Sequence, residues 1–385
     1  MRNLLERELE RESSVRGISR RDFGRAVAYL GAAASLPFYN EMTLAQDVKA
    51  MSRMPPDAVR INANENPMGP CPEAIEAINK IVPQGGRYLF DKTHTFAEAM
   101  AAVEGVPDTH VLPSAGSSDP LHRAVLAFTK PDRPLVTANP GYEAPERAAS
   151  FMRAKVIRVP LRKDFSHDAQ AMVAAHAQTG VIYICNPNNP TGTITSKDDI
   201  DYIVANKPKG CVVLIDEAYI HFAPMATPAT PLVAAGKDVI VLRTFSKLYG
   251  MAGLRAGAAL GRPDLLEKLR GYGGLSIMPI TGMAGALASL KNKTLVAERS
   301  KILADIRADL FSWMHKKGYD FIPSEANMVM IDAKRPGPEM ARAMLDQKVA
   351  IGRAWPSMPN HVRVTIGTAE EMAKFKTAFE RVMSA

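Results

Sequence analysis

The stretch Val239-Ile240-Val241-Leu242-Arg243-Thr244-Phe245-Ser246-Lys247 runs four aliphatic residues into two hydroxyls and a lysine. Continuous rather than alternating apolarity suits a strand buried on both faces of a parallel sheet. Comparable runs recur at Leu135-Val136-Thr137, Val181-Ile182-Tyr183-Ile184 and Val212-Val213-Leu214-Ile215. Two of them lead into polar motifs. Asn186-Pro187-Asn188-Asn189-Pro190-Thr191-Gly192 follows the Val181 run, and Asp216-Glu217-Ala218-Tyr219 ends the Val212 run. Parallel α/β sheets bind ligands outside the carboxyl ends of their strands. One crevice is therefore expected to gather Asn189, Asp216, Tyr219 and Lys247 in an α/β fold.

The residue types narrow the chemistry. A lysine amine can form a Schiff base with an aldehyde. A carboxylate facing a pyridine nitrogen keeps that nitrogen protonated, so the ring can accept electrons from a Cα carbanion. The Tyr219 hydroxyl and the Asn189 amide suit a phenolic ring oxygen. Thr244, Ser246 and Arg255, eight residues beyond Lys247, suit a phosphate dianion. Each fragment alone is ordinary: Ser-Lys is a common dipeptide, and Asp-Glu is usually a solvated pair. Together and in this order they point to pyridoxal 5′-phosphate (PLP).

These motifs resemble those of the fold-type I, class I/II aminotransferases, nearest to the histidinol-phosphate aminotransferase branch. Asn62-Ala63-Asn64-Glu65-Asn66-Pro67-Met68-Gly69-Pro70 is similar to that branch's N-terminal signature, and Val362-Arg363-Val364-Thr365-Ile366-Gly367-Thr368 to its C-terminal one. The resemblance runs from about Arg60 to the C-terminus. It implies a large PLP-binding domain at 81–279 with a mostly parallel sheet flanked by helices. It also implies a smaller α/β domain at 280–385, with an arm and helix at 46–80 packing against it. The implied reaction is ping-pong transamination between an amino donor and a 2-oxo acid.

The resemblance also assigns roles. Lys247, Asp216 and Tyr219 would be catalytic. Tyr142, in Asn139-Pro140-Gly141-Tyr142, matches the position whose ring stacks on PLP. Gly116, Ser117 and Ser118 follow His110-Val111-Leu112 and precede a helical run, where backbone N–H groups can hold an anion. They are expected to bind phosphate with Thr244, Ser246 and Arg255. Tyr88 resembles the tyrosine that reaches the phosphate of a neighbouring subunit, which implies a homodimer, although Leu89-Phe90-Asp91 follows it where the family shows a proline. Arg363 is expected to clamp the substrate α-carboxylate, since its planar fork allows a bidentate pairing that lysine lacks. Arg353 aligns with the arginine that holds the substrate phosphate in that branch, and Asn64 falls in the substrate-binding N-terminal signature. The branch's tyrosine-bearing arm is not recognisable between Gln46 and Arg60. That counts against histidinol phosphate and favours a free amino acid or another amine. Trp355, beside Arg353, is a candidate wall for an aromatic or apolar side chain.

Composition excludes other classes. A chain of 385 residues with 46% hydrophobic and 23% charged residues has ample core for two domains. The net charge of +8 comes with no basic block, so no nucleic-acid partner is expected. Three cysteines at wide spacing imply no disulfide framework, and the eight histidines show no metal spacing. Pro72 to Val82 reads as an amphipathic helix with Ile75, Ile78 and Val82 on one face. Helix is expected from Gly282 to Lys317, strands near 327–332 and 362–366, and a closing helix.

The first 45 residues resemble a twin-arginine export signal. Ser19-Arg20-Arg21-Asp22-Phe23 precedes a mildly apolar Ala26–Leu36 run, and Thr43-Leu44-Ala45 offers a cleavage site. This implies passage through the twin-arginine translocon to the periplasm, with a cytoplasmic location as the alternative. PLP is made in the cytosol, and a translocon of this kind carries folded, loaded enzymes. Decarboxylation or racemisation on the same cofactor set stays open, and a non-catalytic PLP-binding protein is disfavoured by Lys247 and Arg363.

Overall fold

Seven strands form the central sheet of the computed structural model, which describes residues 54–273 and 278–384. In chain order they are β2 (Val111–Ser114), β3 (Leu135–Asn139), β4 (Val156–Pro160), β5 (Val181–Cys185), β6 (Val212–Asp216), β7 (Val239–Thr244) and β8 (Gly257–Gly261). Their spatial order is β2-β8-β7-β6-β5-β3-β4. All pairings are parallel except those of β8, which lies antiparallel between β2 and β7. The four aliphatic runs are all strands, and each of β5, β6 and β7 is buried throughout.

The period of two along these strands decides what faces where. Ile182, Ile184, Val213 and Ile215 pack into a cluster with Phe96 and Ile203 on one side of the sheet. Val181, Tyr183, Cys185, Val212 and Leu214 join Leu121 and Val125 on the other. Asp216 continues the second set and lies opposite Cys185 in the register. Glu217 continues the first. The adjacent acids of the motif are thereby sent to opposite faces.

Helices cover both faces: α1 (Pro72–Ile81), α2 (Phe90–Glu104), α3 (Ser118–Phe128), α4 (Ala144–Phe151), α5 (Ala169–Ala174), α6 (Lys197–Asn206), α7 (Thr230–Ala234), α8 (Pro263–Arg270) and α9 (Ile280–Lys291). Ser196 caps α6 by accepting from the Asp199 N–H, and Asp168 caps α5 in the same way. The chain then forms α10 (Leu295–Lys317), an antiparallel sheet ordered β12-β10-β9, and the closing α12 (Ala369–Met383). The strands are β9 (Phe321–Ile322), β10 (Met328–Asp332) and β12 (His361–Thr365). Thr368 and Glu371 form a reciprocal capping box at the start of α12. Between β10 and β12 lie α11 (Gly337–Asp346) and β11 (Val349–Ile351).

Two expectations are refined. The end of the stretch read as an arm is a strand, β1 (Val59–Ile61), paired in parallel with β11. In α1 the face predicted to be buried is largely turned to solvent. Ile75 and Val82 are exposed, and Ala74 is the buried residue. Helix α1 packs on α9 through Ile78, where Gly285 leaves no room for a side chain. The twin-arginine expectation falls on residues outside those described.

Candidate active site

The strand order reverses direction between β3 and β5: the chain steps from β3 outward to β4, then returns to β5 and proceeds the other way. A crevice is expected at such a switch point. A cavity of about 260 Å³ lies there. It is lined by Tyr142 after β3, Cys185 at the end of β5 and Asn189 beyond it, Asp216 and Tyr219 at the end of β6, and Thr244, Ser246 and Lys247 at the end of β7. Ser117, Ser118 and Arg255 line it too, with Ala63 and Glu65, so the predicted cofactor set is brought together except for Gly116 and Tyr88.

One part of the wall is an anion cradle. Ser117 precedes α3 without capping it by its side chain, so the first-turn N–H groups keep their hydrogen-bonding capacity beside the two serines. Arg255 donates to Ser246 Oγ at 3.2 Å, to the Ala252 carbonyl at 2.9 Å and to the Ala115 carbonyl at 3.0 Å. Among the described residues no ion pair joins Arg255 to a carboxylate, and burial lowers its pKa, with Tyr142 opposing. A partly buried cation whose protein partners are all neutral suits an anionic ligand. Gly116 is not in the wall but shapes it. A Cβ there would sit 2.2 Å from Arg255 Nη2.

Elsewhere in the wall are the acid, the phenol and the amine. Asp216 accepts from the Tyr183 hydroxyl at 3.0 Å and from the Ala218 N–H at 3.1 Å. Burial pushes its pKa up to about 6, against those hydrogen bonds and the nearby Lys247 charge. A buried carboxylate in this state gains from a protonated nitrogen opposite it. The Tyr219 hydroxyl accepts from Asn64 Nδ2 at 3.1 Å and Asn189 Nδ2 at 3.4 Å. Lys247 Nζ lies 5.6 Å from the Tyr219 ring centre and 3.4 Å from the Ala63 carbonyl. Anion cradle, buried acid, hydrogen-bonded phenol and amine in one cavity fit a phosphorylated pyridine aldehyde. PLP is the cofactor.

The substrate candidates separate. Arg363 is fully buried, and its Nη1 donates to Asn189 Oδ1 and its Nη2 to the Asn62 carbonyl, each at 2.9 Å. It therefore contacts the cavity wall through Asn189. Asn64 is buried and its side chain is engaged by Tyr219, Thr365 and Met328, so it holds the Tyr219 hydroxyl from behind. Arg353 is ion-paired with Glu143, its Nη1 donating to Oε1 at 2.9 Å and its Nη2 to Oε2. Tyr88 is exposed, stacks on Phe90 and lies outside its own chain's cavity. Trp355 is buried, and its Nε1 donates to the Gly141 carbonyl at 2.9 Å.

Sequence reasoning missed Tyr183, Ala63, Glu65 and Glu143. A tyrosine inside an aliphatic run, with the parity of Asp216 on the next strand, was a usable signal for the first. Ala63 and Glu65 lie in the N-terminal signature beside Asn64, and Glu143 follows Tyr142, but their partners come from long-range packing, which no local pattern shows.

Comparison with known proteins agrees with this site. The family model "Aminotransferase class I and II" matches residues 56–379. A histidinol-phosphate aminotransferase of Moorella thermoacetica is 32% identical over 334 residues, covering 85% of this chain and 86% of the relative. An aromatic amino acid aminotransferase of Cutibacterium acnes is 31% identical over 318 residues, 82% of this chain and 90% of the relative. The crystal structure of a Sinorhizobium meliloti histidinol-phosphate aminotransferase in complex with PLP superposes with a TM-score of 0.80 at 25% identity, covering 91% of this chain and 96% of that one. The cavity at the β3/β5 switch point is thus that of a PLP-dependent transaminase, and the chain belongs to the class I and II aminotransferases.

Proposed function

We propose that the amino donor is a free α-amino acid with an uncharged, aromatic or apolar side chain, and that the active unit is an exported homodimer. The observation that carries the donor class is Trp355. Its ring lies 5.4 Å from the Arg363 guanidinium and its indole is tied to Gly141, next to Tyr142 in the cavity wall. A donor whose carboxylate meets Arg363 places its side chain toward Tyr142, the aromatic wall residue that this buried indole backs through Gly141. The relationship to an aromatic amino acid aminotransferase supports the same reading. A phosphorylated amine is the second reading, favoured by the names of other relatives.

Bound PLP supplies an electrophilic carbon and an electron sink. The residues do the rest. Ser117, Ser118, Thr244, Ser246 and Arg255 hold the phosphate. Asp216 keeps the ring nitrogen protonated, and Tyr219, held by Asn64 and Asn189, faces the ring oxygen. Lys247 Nζ, as a free amine beside the bound cofactor, would take the proton leaving the donor's α-carbon. Arg363 and Asn189 orient the carboxylate.

Tyr88 and Phe90, with Ile75 of α1 and Val82 just after it, remain exposed on one chain, and a second copy would cover them. In that dimer Tyr88 reaches the neighbour's phosphate. Domains at 81–279 and 280–385, and export after folding, complete the proposal. The deciding experiment is a panel of L-amino acids and histidinol phosphate with a common 2-oxo acid, read as loss of cofactor absorbance. Aromatic donors should convert the cofactor fastest, and a clear preference for histidinol phosphate overturns the donor assignment. A monomer by light scattering, or a cytosolic protein with an intact N-terminus, overturns the other two parts.

A further inference from the structure

Four side chains that no motif links form one assembly beside the cavity. Tyr142 lines the cavity, and Glu143 is the next residue. The Glu143 carboxylate engages both terminal nitrogens of Arg353. The Arg353 guanidinium stacks 4.0 Å from the centre of the Trp355 ring, and Arg363 approaches the same ring. Side-chain exposure is 12% for Arg353 and 24% for Glu143, so the pair is shielded well beyond the usual surface ion pair.

We propose that Glu143 is the specificity-determining residue of this site: by occupying the Arg353 fork it excludes dianionic donor side chains such as phosphate monoesters while admitting uncharged ones. The chemistry is direct. A planar guanidinium binds carboxylate and phosphate through the same two parallel N–H donors. With Glu143 absent, Arg353 would be a second anion site two residues from Trp355, in addition to Arg363. With Glu143 present, an incoming phosphate must displace a carboxylate that is anchored next to Tyr142 and then remain close to it. Discrimination of this kind rests on a repulsive element as well as on attractive contacts. The proposal deepens the donor assignment above and rests on it, but its test is separable.

The test compares holoenzyme and its Glu143→Gln variant with L-phenylalanine and with histidinol phosphate, each against a common 2-oxo acid. The wild-type ratio of kcat/KM values reports on the donor assignment. The change of that ratio in the variant reports on Glu143. Glu143→Gln should move the ratio toward histidinol phosphate by at least about tenfold, since a neutral amide neither fills the fork as firmly nor repels a dianion. Adding Arg353→Gln should abolish the gain. Inorganic phosphate should compete with L-phenylalanine in Glu143→Gln at about tenfold lower concentration than in wild type. Glu143→Asp, which keeps the charge but shortens the reach, should fall between. A ratio and a phosphate inhibition constant that both stay within about twofold of wild type in Glu143→Gln overturn the proposal, whichever donor the wild type prefers.

Discussion

Replacing Gly116 by alanine tests whether the Arg255 cradle depends on a missing side chain. Gly116 has φ +83°, and its Cβ would stand 2.2 Å from Arg255 Nη2 and 2.8 Å from Cζ. The backbone term is about 1–2 kcal/mol for a non-glycine residue in left-handed territory. The clash adds a second term, because the guanidinium must retreat by about 1 Å to reach ordinary van der Waals contact. That retreat breaks the bond to the Ala115 carbonyl at 3.0 Å and stretches the one to Ser246 Oγ at 3.2 Å. Hydrogen bonds to a charged group contribute roughly 1.5–3 kcal/mol. The strain should appear in the cofactor-free protein as a fall in Tm of about 2–8 °C. The displaced arginine should appear as a loss of PLP affinity of about 10- to 100-fold. Titration of the apoenzyme with PLP, followed by absorbance, measures the second effect. Gly86→Ala is the control, since nothing lies within 4 Å of its Cβ. If Gly116→Ala binds PLP within about threefold of wild type, Arg255 does not hold the phosphate in the geometry described.

Three further outcomes follow from buried charges. Asp216 has its pKa raised to about 6 by burial, above the unfolded value of 3.8, so the folded apoenzyme binds the proton more tightly. The stability this contributes is present below pH 3.8 and lost as pH rises through 6, roughly 3 kcal/mol in all. Apo Asp216→Asn should therefore be more stable than wild type above pH 6 in urea unfolding, while its turnover collapses; equal stability at pH 8 contradicts the burial argument. Arg243→Met leaves Glu104 and Glu217 buried without their shared partner and should cost about 3–5 kcal/mol. The loss should shrink toward pH 5 as the acids take up protons, so a pH-independent loss in thermal melts rules out unpaired charge as its cause. Arg363→Lys cannot keep both Nη bonds to Asn189 and Asn62, and should lower kcat/KM about 30- to 100-fold, chiefly through KM. An unchanged KM removes Arg363 as the carboxylate clamp.

The parts legible in sequence share one property: their signal is local. Strands β5, β6 and β7 are continuous aliphatic runs, and the residues that close them sit at the carboxyl edge by the geometry of a parallel sheet. Asn189, Asp216 and Lys247 could be placed together for that reason. Strand β8 shows the opposite case. Its sequence, Gly-Ala-Ala-Leu-Gly, has weak strand propensity, yet it lies between β2 and β7 with every residue buried. A Cβ at Gly257 would meet the Arg243 carbonyl at 2.7 Å and Gly116 at 2.7 Å. The small residues record a close approach of three backbones, which is visible only once the partners are known.

Charge was legible only in part. The motif assigns Asp216 to the cofactor but says nothing of Glu217, and the alternation that sends one acid to the cofactor face and the other to Arg243 on the far face depends on β6 being buried on both sides. Arg353 shows the limit most plainly. Its motif position suggested a free anion receptor, but the carboxylate in its fork lies 210 residues earlier in the chain. No window of sequence pairs them. A substrate assignment that rests on the arginine alone therefore reads half of an ion pair, and the identity of the donor turns on the half that motif comparison does not register.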